Sequence, residues 1–81
     1  MNEFANLRIM TYNIWFDQHN NRSRYAHIIK IILESNANVV CLQECTNQFL
    51  SLLTENKSIT DKYKHFGVQD FKTFYGVMIL S

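Results

Sequence analysis

Two short apolar runs that each end in polar side chains, with a helical pattern of crossover length between them, constrain this chain more than any other feature. The first closes on Thr11-Tyr12-Asn13-Ile14-Trp15-Phe16 and the second on Val39-Val40-Cys41-Leu42-Gln43-Glu44. Parallel strands need a connection of about a dozen residues or more, usually a helix. The spacing therefore predicts a βαβ unit. Its two strands run the same way, so their C-terminal ends share one edge of the sheet, the edge at which α/β folds place their ligands. Asn13 and Glu44 are expected there together.

The individual segments support that unit. Residues 7–14 read as a strand with period two, Leu7, Ile9 and Thr11 alternating against Arg8, Met10 and Tyr12, and Asn13 falls on the Leu7-Ile9-Thr11 face. A polar loop through Gln18, His19, Asn20 and Asn21 can supply capping groups for a helix starting near Asn21 or Arg22. Tyr25, Ile28, Ile29, Ile32 and Leu33 then form one apolar stripe, closed by Ser35-Asn36-Ala37-Asn38. The continuous run at 39–42 suits a strand covered on both faces in a parallel sheet, away from its edge. Thr46 is expected to cap a second helix through about Asn56 that buries Phe49, Leu52 and Leu53, and 57–62 reads as a polar connection. A weaker strand is expected at 63–68 and a stronger one at 75–80, linked through 69–73.

Composition is that of a folded chain: 47% hydrophobic and 14% aromatic, with a formal charge of +1. This charge leaves no electrostatic footprint for nucleic acid. The first residues lack the pattern of a secretory signal, and no stretch reaches the roughly 18 apolar residues of a membrane span. A cytoplasmic or nuclear setting is the default expectation. The two cysteines, Cys41 and Cys45, have a C-x3-C spacing that fits neither a redox pair nor a zinc knuckle. Cys41 is expected in the core of a strand, and Cys45 in a loop or at a helix start. The chain is read as one domain without repeats. An apolar strand at its end, with no cap or turn after it, suggests the opening part of a larger domain.

An amide and a carboxylate at the ends of neighbouring strands, about 4.8 Å apart, can gather around one small cation. Magnesium takes few protein oxygens and keeps several waters that a phosphate can replace, which suits this pair better than calcium. Taken singly, Asn13 also reads as a residue that ends a strand by an Asx-type turn, and Glu44 as a surface carboxylate.

The whole pattern resembles the endonuclease/exonuclease/phosphatase superfamily of metal-dependent phosphodiesterases. It consists of Thr-Tyr-Asn-Ile at one strand end, a helix carrying Arg24 and an Ile-rich face, Asn-Val-Val-Cys-Leu-Gln-Glu on the next strand, and Tyr-Gly-Val-Met-Ile-Leu-Ser later. The resemblance implies the N-terminal, βαβ-containing portion of a two-sheet, four-layer α/β sandwich. In it Glu44 would hold magnesium, or manganese, and Asn13 would orient the metal, the phosphate or the attacking water. It gives Gln43 a supporting role beside the metal glutamate. Trp15-Phe16-Asp17 is similar to a loop near the substrate in the tyrosyl-DNA phosphodiesterase 2-like branch, which favours nucleic acid over phospholipid as the phosphate ester. Trp15 reads at least as readily as a hydrophobic plug between sheet and helix.

The family's later motifs, a Gly-Asp-x-Asn, a further Asp and a C-terminal His, have no counterpart here. His19, His27 and His65 match none of them. The expectation is a metal-dependent phosphodiesterase or nuclease segment that is inactive alone. The alternative is a non-catalytic βαβ interaction module or a gene remnant.

Overall fold

The computed structural model describes residues 7–15, 17, 20–69 and 76–81, with the side chain of residue 69 excepted. Among these residues four strands and three helices follow in the order β1 (Ile9–Asn13), α1 (Asn21–Ser35), β2 (Val39–Cys45), α2 (Asn47–Glu55), α3 (Lys57–Lys62), β3 (Phe66–Gln69) and β4 (Gly76–Leu80). The strands form one mixed sheet in the order β1-β2-β4-β3. β1 and β2 pair in parallel, with Ile9 opposite Val39 and Asn13 opposite Gln43. β4 runs antiparallel to both β2 and β3. The βαβ unit is thus formed, and β2 lies inside the sheet as its apolar run required. The sheet around it is mixed, not parallel.

α1 ends at Asn36, whose left-handed backbone (φ 55°) is one that Asn tolerates better than most residues. At its other end Asn20 is also left-handed, and its carbonyl, not its side chain, accepts from the Arg24 N–H at 3.0 Å. Tyr25, Ile28, Ile29 and Ile32 are buried by this helix. Thr46 caps α2 as anticipated, its hydroxyl accepting the Phe49 N–H at 3.1 Å.

Residues 57–62, expected as a polar connection, are instead the helix α3. Asn56 caps it by accepting the Ile59 N–H at 3.1 Å, Lys57 reaches Asp61 one turn on at 3.0 Å, and Ile59 supplies its buried contact. With a single buried side chain, six residues show too little periodicity to be read as a helix. Tyr63 ends that helix and is itself buried, its hydroxyl donating to the Ala37 carbonyl at 2.7 Å. The weaker strand therefore starts at Phe66. The link through 69–73 and Tyr75 lie outside the described residues, apart from the Gln69 backbone.

All three helices cover one face of the sheet. Val40, Leu42, Met78 and Leu80 from the strands meet Tyr25, Ile32, Phe49, Leu53 and Ile59 in a single core. Tyr25 and Phe49 pack edge to face with ring centroids 5.0 Å apart. On the other face Ile9, Val77 and Ile79 are exposed, and Cys41 is only half-buried. Among the described residues, helices cover β2 on one face.

Candidate metal-binding strand edge

β1 ends at Asn13, and its ladder to β2 extends one step further through Ile14 N–H to the Gln43 carbonyl, 2.8 Å. In a regular pleat the register partners Asn13 and Gln43 share a face, and Glu44 falls on the opposite one, among the helices. A β-bulge changes this. Between the pairs Leu42–Met78 and Cys45–Gly76, β2 advances three residues while β4 advances two. The extra residue lets Leu42 and Cys45 both face the core, with Gln43 and Glu44 left at the surface between them. Glu44 takes up the turn with a left-handed backbone, φ 54°.

The result is direct contact between the two residues singled out from the sequence. Asn13 Nδ2 donates to Glu44 Oε2 at 2.6 Å. The orientation of the Asn13 amide is set by its other end, because Oδ1 accepts the Trp15 backbone N–H at 2.9 Å and only an oxygen can do so. The nitrogen must then face Glu44. Asn13 thus makes the Asx-type turn and the contact with Glu44 at once.

Trp15 follows with a left-handed backbone, φ 63°, unusual for so bulky a side chain. Arg24 of α1 braces it. Nη2 of Arg24 donates to the Trp15 carbonyl and, at 2.9 Å, to the Asp17 carbonyl, while the guanidinium carbon lies over the indole, 4.6 Å from its centre. The indole is 49% exposed, so Trp15 is not a plug between sheet and helix. Of Asp17, the structure shows the carbonyl bound to Arg24. Gln43 turns toward β1, donating to Thr11 Oγ1 at 2.9 Å and to the Cys41 carbonyl at 3.3 Å. It props the edge beside Glu44.

Cys45, expected in a loop or at a helix start, is instead the last residue of β2 and fully buried. Burial pushes its thiol up to about 12, so it is a neutral core side chain beside the bulge. The three-residue spacing of Leu42 and Cys45 around Gln43-Glu44 was the sequence signal for that bulge.

For a divalent cation the edge offers one carboxylate. Among the described residues Glu44 Oε1 has no hydrogen-bond donor, and no group of three or more His, Cys, Asp or Glu gathers anywhere. That donor set fits magnesium, which is often held by one or two carboxylates with waters completing its shell. The Asn13 oxygen is engaged by the Trp15 N–H, so it is the amide nitrogen of Asn13 that faces Glu44 in this arrangement. A cavity of about 390 Å³ between α1 and α2, lined by residues such as Arg22, Ile29 and Leu52, shares no residue with this edge.

Residues 10–81 match the profile of the Endonuclease/Exonuclease/phosphatase family. Neither the comparison with curated proteins nor that with solved structures finds a match.

Proposed function

The chain belongs to the endonuclease/exonuclease/phosphatase family, and on that premise we propose that it contributes the Asn13–Glu44 edge of a magnesium-dependent phosphodiesterase site. The observation that carries this reading is the bulge that takes Glu44 out of the core and sets it against the Asn13 amide. A surface carboxylate with no task would not need a strained backbone to reach that place. Glu44 would hold magnesium, or manganese, and Asn13 would keep the carboxylate turned toward it. When bound, such an ion polarises a phosphoryl oxygen and stabilises the charge that develops during displacement.

The 81 residues would be the N-terminal part of one domain, inactive without the acid–base and further metal-binding groups that the family's later motifs carry. Such groups typically contribute about 10²–10⁴ in rate. Nucleic acid is the favoured phosphate ester, because the half-exposed Trp15 indole stands next to Asn13 and can stack on a base. The resemblance of the Trp15-Phe16-Asp17 segment to a loop of the tyrosyl-DNA phosphodiesterase 2-like branch supports the same preference. Among the described residues no helix is long and apolar enough to cross a membrane.

Manganese titration followed by electron paramagnetic resonance tests the metal reading on wild type and Glu44→Ala. Binding by the wild type that is lost in the variant is expected, and equal binding by both would overturn the assignment.

A further inference from the structure

We propose that Arg24 is a positioning residue for Glu44, acting through the backbone of Trp15 and the side chain of Asn13. The inference rests on the metal reading of Glu44 and adds to it a group on a different element, one that touches neither Glu44 nor Asn13 in the structure.

The contacts form a continuous series. One nitrogen of the Arg24 guanidinium donates to the carbonyls of Trp15 and Asp17, and the guanidinium carbon lies over the indole. These contacts brace a Trp15 backbone held in the left-handed region, which is disfavoured for an L-residue. With Trp15 fixed, its N–H points at Asn13 Oδ1. With Oδ1 engaged, Nδ2 is committed to Glu44 Oε2. Each link orients the next group, so a change at Arg24 reaches the carboxylate as a rotation of the Asn13 amide.

Arginine suits this place for a chemical reason. Its guanidinium is planar, carries several donors in one plane and stacks on aromatic faces, whereas lysine offers a compact ammonium with no plane to stack. The sequence around it shows the same economy. α1 places Arg24 beside the buried Tyr25, whose ring lies 5.6 Å from the guanidinium carbon, so the head group is held between two aromatic side chains. A charge placed there merely for solubility would have no reason to be so confined.

The test uses the isotope-labelled chain and two readouts. The first, without metal, is hydrogen exchange at the Trp15 backbone amide and the chemical shifts of the Asn13 side-chain amide. The second is manganese affinity. In Arg24→Ala the Trp15 amide should lose its protection and the two Asn13 amide protons should converge, while helix content by circular dichroism stays at the wild-type level. Manganese affinity should fall about 10-fold or more, the range typical for groups that orient a metal ligand. Arg24→Lys should recover the charge yet restore less than half of the lost protection. Arg22→Ala, which removes an equal charge from the same helix, should leave both readouts at wild type.

Unchanged amide signals in both Arg24 variants would overturn the inference, as would an equal effect from Arg22→Ala. Failure of the metal reading looks different. In that case neither wild type nor Glu44→Ala binds manganese selectively, and the amide readout alone decides whether Arg24 positions Asn13.

Discussion

Asn13 is the register partner of Gln43, yet its side-chain amide is bonded to Glu44, 2.6 Å away. The one-residue difference between pairing and contact measures what the β-bulge does. It spends a ladder position and a left-handed backbone to turn a carboxylate from the core side of the sheet to its edge.

That backbone makes a stability prediction at Glu44. Glycine adopts φ near 54° without the steric cost borne by other L-residues. Glu44→Gly should therefore be more stable than Glu44→Ala by about 1 kcal/mol in urea denaturation. Both variants lose the carboxylate, so neither should retain a metal response. A Gly variant no more stable than the Ala variant would mean that the left-handed conformation carries no strain.

Replacing Asn13 by Asp separates its two bonds. The new carboxylate can still accept the Trp15 N–H, but it faces Glu44 with a like charge where an amide donor stood. Such a pair holds one proton more tightly in the folded state than in the unfolded chain. The raised folded value means stability is present below the ordinary carboxyl range of about 4 and is lost as pH rises through the pair's folded value. Urea midpoints at pH 4 and pH 7 should show Asn13→Asp losing ground to wild type only at the higher pH. An equal deficit at both would point to packing instead of charge.

Thr46 holds two buried partners. Its hydroxyl caps α2 through the Phe49 N–H and lies 3.0 Å from the Tyr25 hydroxyl. Thr46→Ala removes the cap and strands a buried phenol, a loss of about 2 kcal/mol or more. Thr46→Ser keeps the oxygen and should recover most of it. Thermal melts of the two variants check the difference.

Cys45 predicts the alkaline limb of stability. Its thiol, ordinarily near 9, is pushed up to about 12 by burial. Below pH 9 both folded and unfolded chains keep the proton. Between 9 and 12 the unfolded chain releases it and the folded chain does not, so stability falls as pH rises, by at most about 1.4 kcal/mol per pH unit. Cys45→Ala should lower stability at pH 8 and flatten this slope. Tyr63, also raised by burial, contributes in the same sense, and Tyr63→Phe should remove its share. Thiol reagents should modify the half-buried Cys41 before Cys45.

The periodicity of Tyr25, Ile28, Ile29 and Ile32, the capping threonine at 46 and the apolar run at 39–42 determined the crossover helix, the second helix and the inner strand. Those signals are local, since they record which side chains a regular helix or strand must bury. The likeness of the two strand ends to a known family was equally legible, because it resides in residue identity and order. α3 escaped notice because a single buried isoleucine shows no period. The mixed sheet escaped as well, since the direction in which β4 returns beside β2 is not encoded in its own alternation. The strand ends already placed Asn13 and Glu44 at one edge; what only the tertiary structure decided is how the two side chains come into contact. Period two alone would have hidden Glu44 beneath the helices, and it is the pairing of β2 with β4 across one extra residue, with Arg24 arriving from α1 to hold Trp15, that brings the amide and the carboxylate together.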